Sequence, residues 1–413
     1  ELLLAEVAKL CNGEFDESLI EGTINNLKLR RMRELESNSD RADMYVNSFI
    51  NGTDWADEVK WLDKMSAVTK QDIVDWANKY LSDNTYAVVY KRQGEDKTVQ
   101  KVSAPKITPI KANRDAQSAF LAEIKAVEVK PIEPVFVDYE KDMKKFKAEG
   151  LDVLYAQNTT NDIADVTYTF DTGTESDPAL NLAFRYLGYL GTPTRSAEEI
   201  AQQMYQLACS YGLGAGNTMT SISVSGLSEN LPKAMEIVED LIYNAVPDES
   251  ILANLKADML KSRADGKHNQ SRCFSALQRY VFYGPEFIRK TTLTNEQLMA
   301  LTSEELLSKV RELLGYNHEV LYYGPATESQ VKKLIAENHT VAADLKPLVK
   351  TYSVYQLTED SKVFLAQYDA KQLYYLQYSN RGEKLDIAAN PYLRLYNEYF
   401  GGGMNAIVFQ EMR

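Results

Sequence analysis

The feature that most constrains the fold of this chain is an internal repeat, in which residues 69–90 align without a gap to residues 302–323. At a constant shift of 233 residues, the paired positions are Thr69, Ile73, Val74, Leu81, Asn84, Val88 and Tyr90 with Thr302, Leu306, Leu307, Leu314, Asn317, Leu321 and Tyr323. Upstream, at a shift of 232, Asp16, Glu17, Ser18 and Gly52 match Asp248, Glu249, Ser250 and Gly284. A repeat of this length indicates that one structural unit occurs more than once along the chain.

The repeat divides the chain into four predicted segments. Residues 1–93 are expected to form the C-terminal half of a domain, and residues 94–134, which are rich in Lys and contain four prolines, an interdomain linker. Residues 135–345 are expected to form a complete domain of the same kind, and residues 346–413 the N-terminal part of a further one. Residue 1 is Glu and the first residues already show a helical pattern, so we expect a piece of a longer chain.

Local signals predict a mixture of helices and strands. Ser196 with Glu199, and Thr302 with Glu305, have the spacing of capping boxes, and each is expected to begin a helix. Apolar runs and alternating patterns predict strands at residues 151–157, 164–170, 220–224 and 319–323. Further strands are predicted at residues 85–90, 362–367 and 373–378.

Composition excludes several classes of protein. Lys and Arg number 46 and Asp and Glu 59 among the 413 residues, a net charge of −13, so no nucleic-acid partner is expected. No apolar run reaches the length of about 20 residues that a membrane-spanning helix needs. The wide spacing of Cys11, Cys209 and Cys273 predicts buried thiols rather than disulfides or a metal site.

The end of the chain carries its most informative motif, Phe-Gly-Gly-Gly-Met-Asn-Ala-Ile-Val-Phe-Gln-Glu-Met-Arg at residues 400–413. Three consecutive glycines suit a tight turn or a backbone that passes close to a ligand. The apolar spacing after them predicts a helix that begins at Asn405.

This motif resembles the stretch Leu-Gly-Gly-Gly-Met-Ser-Ser-Arg-Leu-Phe-Gln-Glu-Leu-Arg in the last domain of the insulinase/pitrilysin-type zinc peptidases, the inverzincins. The matching residues are Gly401, Gly402, Gly403, Met404, Phe409, Gln410, Glu411 and Arg413. Asn405, Ala406 and Ile407 replace the usual Ser-Ser-Arg. The resemblance implies that Arg413 and the three glycines bind substrate.

A second match concerns the zinc motif of that family. Residues 181–192 resemble the family's helix with the inverted H-x-x-E-H motif, but Leu182 and Tyr186 stand at the metal-ligand positions and Arg185 at the position of the general base. Leucine has no lone pair, neutral tyrosine is a poor zinc ligand, and a guanidinium group only donates hydrogen bonds. We therefore expect no metal site and no catalytic residue in this segment. Arg185 is expected to pair with a carboxylate.

The three histidines offer no replacement for the missing ligands. His268, His318 and His339 are never three or four residues apart, and they are expected at the surface or in loops.

The family resemblance implies a fold and a function. The fold is α+β, with repeated layered domains in which helices pack on one face of a mainly antiparallel sheet. The function is that of the zinc-free, substrate-enclosing portion of a bacterial zinc metalloendopeptidase, with zinc bound upstream in the parent protein and this segment inactive by itself.

The same resemblance implies a peptide substrate and, as a partner, the other half of the same chain or a second subunit in a homodimer or heterodimer. The bacterial periplasm or cell envelope is the expected location. A zinc-free scaffold or partner subunit of the same fold is the alternative, because some relatives keep the fold without the metal.

Overall fold

The computed structural model describes residues 2–81, 85–94, 98, 102–109, 116–348 and 353–412. The described part of the chain before residue 144 is helical. Its helices are α1 (Leu2–Asn12), α2 (Ser18–Glu36), α3 (Asn38–Asn51), α4 (Trp55–Val59), α5 (Trp61–Ser66), α6 (Lys70–Tyr80) and α7 (Ala119–Ala126).

The central part, from residue 144 to residue 338, alternates strands and helices. In chain order its elements are β1 (Lys144–Ala148), β2 (Leu151–Gln157), β3 (Ile163–Phe170), α8 (Leu180–Leu187), α9 (Ala197–Gln206), β4 (Cys209–Ala215), β5 (Thr220–Leu227), α10 (Leu231–Asn244), α11 (Glu249–Gly266), α12 (Gln270–Thr291), α13 (Asn295–Ala300), α14 (Ser303–Leu313), β6 (Glu319–Gly324) and α15 (Glu328–Asn338). The last part contributes α16 (Asn390–Gly401) and α17 (Ile407–Met412).

The strands form one six-stranded sheet in the order β1-β2-β6-β3-β5-β4. All neighbours are antiparallel except β2 and β6, which run parallel. Along β3 the side chains of Val166, Tyr168 and Phe170 are buried, while the alternate residues are half-buried on the opposite face. The buried face packs against α8, α10, α14 and α15 in one core, which confirms the predicted α+β class with helices on one face of a mainly antiparallel sheet.

Local capping chemistry places several helix starts where the sequence predicts them. Reciprocal capping boxes begin α9, from Ser196 and Glu199, and α14, from Thr302 and Glu305. The aligned repeat position, Thr69, begins α6 with a capping box in which Asp72 takes the place of the glutamate. Gly52 and Gly284, the other aligned pair, both adopt positive φ, at the end of α3 and at the kink inside α12. The domain boundaries themselves stay predictions, and Asn84 lies outside the described residues.

Three predicted strands are wrong. Residues 85–90, 362–367 and 373–378 have no regular secondary structure. A strand is stable only when its backbone groups pair with a neighbour, and apolar character alone does not supply one. In the first of these runs the side chains of Val88, Val89 and Tyr90 are exposed, so they are not packed as in a strand of the core.

The described part of the chain also contains no helix that is both long and apolar enough to cross a membrane.

Candidate functional site

The two positions that correspond to zinc ligands in the resembled motif belong to the hydrophobic core. Leu182 is 1% exposed and Tyr186 is fully buried, both on the face of α8 that packs toward α14. The Tyr186 hydroxyl accepts a hydrogen bond from the backbone N–H of Asp248 at 2.7 Å and donates one to Oγ of Ser303 at 2.7 Å. Tyr186 thereby joins α8 to the N-terminal ends of α11 and α14.

Arg185 lies on the opposite side of α8, exposed to solvent. Its guanidinium forms no ion pair with a carboxylate in the described part of the chain, so the predicted pairing is not observed. The helix is amphipathic, and the position that would hold a general base belongs to its polar face.

The residues of α8 do not fit a zinc ion. Zinc needs lone pairs from imidazole, thiolate or carboxylate groups that converge on one point. Leu182 offers none, and both hydrogen-bonding directions of the Tyr186 hydroxyl are occupied. Across residues 2–412, outside the undescribed gaps, no group of three or more His, Cys, Asp or Glu side chains could hold a metal ion.

Two histidines occupy the core instead of the surface, contrary to the sequence prediction. His318 is 3% and His339 is 6% exposed, and their Nε2 atoms are 2.9 Å apart. Nδ1 of His339 lies 2.7 Å from a carboxylate oxygen of Glu239, and Nδ1 of His318 lies 2.8 Å from the backbone carbonyl of Tyr316. His268, in contrast, lies in an exposed turn as predicted.

Sequence reasoning missed this His318–His339–Glu239 chain of contacts because its members come from distant positions. Glu239 lies on α10, His318 just before β6, and His339 at the C-terminal end of α15. The three residues share no motif spacing, and α15 must fold back along the sheet to bring the two imidazoles together.

A polar groove adjoins these residues. A cavity of about 730 Å³ is lined by Arg195, Tyr243 and the acidic side of α10. A smaller one of about 440 Å³ lies next to it, around His339 and the residues that follow α15. Glu236, Glu239 and Thr340 line both.

The glycine-rich motif forms the turn between α16 and α17. Gly401 is the last residue of α16, and α17 begins at Ile407, two residues after the predicted start at Asn405. A side-chain carbon added at Gly401 or Gly403 would meet no atom within 4 Å, whereas one at Gly402 would lie 2.7 Å from Cα of Glu398. Packing therefore requires glycine at Gly402, because a larger side chain would clash with α16. At Gly401 and Gly403 there is free space for a side chain. Arg413 lies outside the described residues.

Cysteine burial agrees with the sequence prediction at one of three positions. Cys209, at the start of β4, is buried, whereas Cys11 and Cys273 are half-buried. All three are free thiols.

Comparison with known proteins adds a relative to the resemblance found in the sequence. No family model matches the chain. A protein of Rickettsia felis, named an uncharacterized zinc protease, is 24% identical over 237 residues, which is 55% of this chain and 55% of that protein. This similarity confirms the resemblance to the zinc peptidases. The chain spans about half the length of the curated relative that it matches.

Solved structures with a similar fold were also found. A conserved protein from Enterococcus faecalis is 16% identical, with a TM-score of 0.49 over 66% of this chain and 69% of that one. The periplasmic protease PqqL from Escherichia coli is 14% identical, with a TM-score of 0.48 over 88% of this chain and 43% of that one. A peptidase M16 inactive domain from Pseudomonas fluorescens is 19% identical, with a TM-score of 0.44 over 52% of this chain and 54% of that one.

Proposed function

We propose that this chain is the zinc-free, substrate-enclosing portion of a zinc metalloendopeptidase that hydrolyses peptides. The observation that carries the proposal is the similarity to a zinc protease in a chain whose motif helix has buried, non-ligating side chains at Leu182 and Tyr186. A segment of this kind contributes the walls and binding surface of the substrate chamber. The zinc ion is held elsewhere in the parent protein, where it would activate water for attack on the peptide bond.

Metal analysis of the intact parent protein, after dialysis against a weak chelator, tests the proposal. About one zinc per chain is expected for a peptidase with a single working metal domain. No zinc in the parent would contradict the proposal and favour the alternative, a zinc-free scaffold or partner subunit, which the degenerate motif also fits. Stoichiometric zinc in the isolated 413-residue segment would contradict both.

We further propose that Arg413 and the glycine turn contact the substrate. The support is the match of Gly401–Gly403 and Arg413 to the family motif, and the open space around the backbone of Gly401 and Gly403. A guanidinium group near the scissile carbonyl would stabilise the negative charge that develops there.

The variant Arg413→Ala in the intact parent tests this role. We expect a lower kcat on a peptide substrate with unchanged thermal stability. Arg394→Ala, which removes an exposed arginine from the neighbouring helix α16, is the matched control and should keep the parental rate. Equal rates for the two variants would remove Arg413 from the substrate site.

The partners of the protein and its location complete the proposal. A peptide would be enclosed between this segment and the other half of the same chain, or a second subunit, in the bacterial periplasm or cell envelope. Cell fractionation and the mass of the purified parent in solution test these two statements.

A further inference from the structure

We propose that Glu239, His339 and His318 form an acid-sensitive clasp, which holds the C-terminal end of α15 to α10 and to the start of β6 and opens when the pH falls. The clasp consists of the contacts Glu239–His339, His339–His318 and His318–Tyr316 carbonyl, at 2.7, 2.9 and 2.8 Å. It lies outside the glycine turn and the motif helix, and it does not depend on zinc or on peptidase activity.

Hydrogen-bond donors and acceptors along the clasp can be assigned from its fixed end. The Tyr316 carbonyl can only accept, so Nδ1 of His318 carries a proton and donates it. Nε2 of a neutral His318 is then an acceptor, and Nε2–H of His339 donates to it. Nδ1 of His339 faces the Glu239 carboxylate. One proton, bound either to Nδ1 or to the carboxylate, completes this hydrogen bond.

One proton completes each of the three contacts, so the arrangement has no place for a further proton on either imidazole. Such a proton would put two N–H groups into one contact, for example between the Nε2 atoms of His318 and His339 at 2.9 Å, where no acceptor is available. A further proton on this pair therefore breaks a contact of the clasp and leaves its partners to separate.

The surroundings of His318 oppose a positive charge. Phe170 and Tyr168 on β3 pack against the ring, with ring centroids at 4.6 and 6.1 Å, and the residue is only 3% exposed, so water does not solvate a cation there. The nearest carboxylate, Glu239, is already paired with His339 and also accepts the backbone N–H of Thr340 at 3.2 Å. Other titratable groups nearby are Tyr243, beside Glu239, and the side chains that line the neighbouring cavities, which are Arg195, Glu236, Asp240, Glu337 and Glu149.

Burial is the main cause that lowers the pKa of His318 from 6.5 to about 4, and the neighbouring His339 acts in the same direction. The closed clasp binds this proton more weakly than the open one. The contribution of His318 to the stability of the closed clasp is therefore fully present above about pH 6.5 and is lost as the pH falls toward 4. The ratio of open to closed clasp should rise by about 50-fold between pH 7 and pH 4.5.

The opening is expected to be local. His339 is the C-cap residue of α15, and the contacts of the clasp end at that terminus. Val331 and Ile335, earlier in the helix, remain fully buried against the sheet. Opening would therefore free residues 336–341, which line the smaller cavity, while the first turns of α15 stay packed.

Hydrogen exchange of the full chain, corrected for the intrinsic pH dependence of exchange, is the first test. Between pH 7 and pH 4.5, the protection factors of the amides of residues 336–341 should fall about 50-fold in the wild type. In His318→Gln they should fall much less. His268→Gln, which removes the exposed histidine, is the matched control and should behave as the wild type. An equal loss in His318→Gln would overturn the proposal.

Imidazole nitrogen NMR of the unmodified chain tests the same point without a variant that could fail to fold. The chain has three histidines, so their signals can be assigned from the single variant at His268 and by exchange behaviour. His318 is expected to stay neutral, with its proton on Nδ1, down to about pH 5. A charged His318 at pH 6, or a neutral form with the proton on Nε2, would overturn the proposal.

Discussion

The hydroxyl of Tyr186 lies 2.7 Å from Oγ of Ser303 and 2.7 Å from the backbone nitrogen of Asp248. These contacts connect α8 to the beginnings of two other helices, α11 and α14, in a place that water does not reach. A position that holds a metal ligand in the resembled motif is used in this domain to stabilise helix packing.

The variant Tyr186→Phe tests this structural role. Removal of the hydroxyl leaves the Asp248 N–H and the Ser303 hydroxyl without their buried partner, so we expect a loss of about 1–3 kcal/mol in the free energy of unfolding. Urea denaturation measures it. Tyr189→Phe, at an exposed position just after α8, should change stability by less than about 0.5 kcal/mol. Equal effects would show that the Tyr186 hydroxyl contributes nothing specific.

The two faces of α8 predict opposite responses to truncation. Leu182→Ala should destabilise the domain by about 2–5 kcal/mol, because it leaves a cavity in the core. Arg185→Ala should change stability by less than about 0.5 kcal/mol, since its exposed side chain forms no ion pair with the described carboxylates. Thermal or urea unfolding of both variants gives the comparison, and a large effect of Arg185→Ala would reveal a partner outside the described residues.

The thiols should differ in reactivity. Burial raises the pKa of Cys209 to about 11, so at pH 8 almost none of it is the reactive thiolate. We expect a thiol reagent to modify Cys11 and Cys273 first, and Cys209 only after unfolding in denaturant. Peptide mass spectrometry identifies the modified residue at each time point. Rapid labelling of Cys209 in the native protein would contradict the observed packing at the start of β4.

The glycines of the turn should tolerate alanine differently. Gly402→Ala places a carbon 2.7 Å from Cα of Glu398, so the turn between α16 and α17 must shift and should become more susceptible to limited proteolysis. Gly401→Ala meets no atom within 4 Å, and at the end of a helix it should be neutral or stabilising by up to about 1 kcal/mol. Equal digestion rates would mean that the three glycines serve another purpose than packing.

Local signals account for the features that the sequence predicts well. A capping box involves residues three apart, so Ser196 with Glu199 and Thr302 with Glu305 specify their helix starts without reference to the rest of the fold. The alternation in β3 likewise follows from the two faces of a strand, one buried and one half-buried.

Non-local requirements account for the errors. Residues 85–90 have the apolar pattern of β6 at the aligned repeat position, but a strand also needs a neighbour to pair with, and that neighbour is not encoded in the run itself. The burial of His318 and His339 was missed for a similar reason, since a histidine outside a motif gives no signal of its distance from the sheet.

The sequence alone determines the repeat, the helix starts, the non-ligating residues Leu182 and Tyr186 and the glycine turn, because each depends on the identity or close spacing of residues. Tertiary structure decides that Tyr186 bridges α11 and α14, and that Glu239, His339 and His318 meet in the core. The reason is that these contacts join residues 21 to 117 positions apart, and only the packing of helices on the sheet sets such distances.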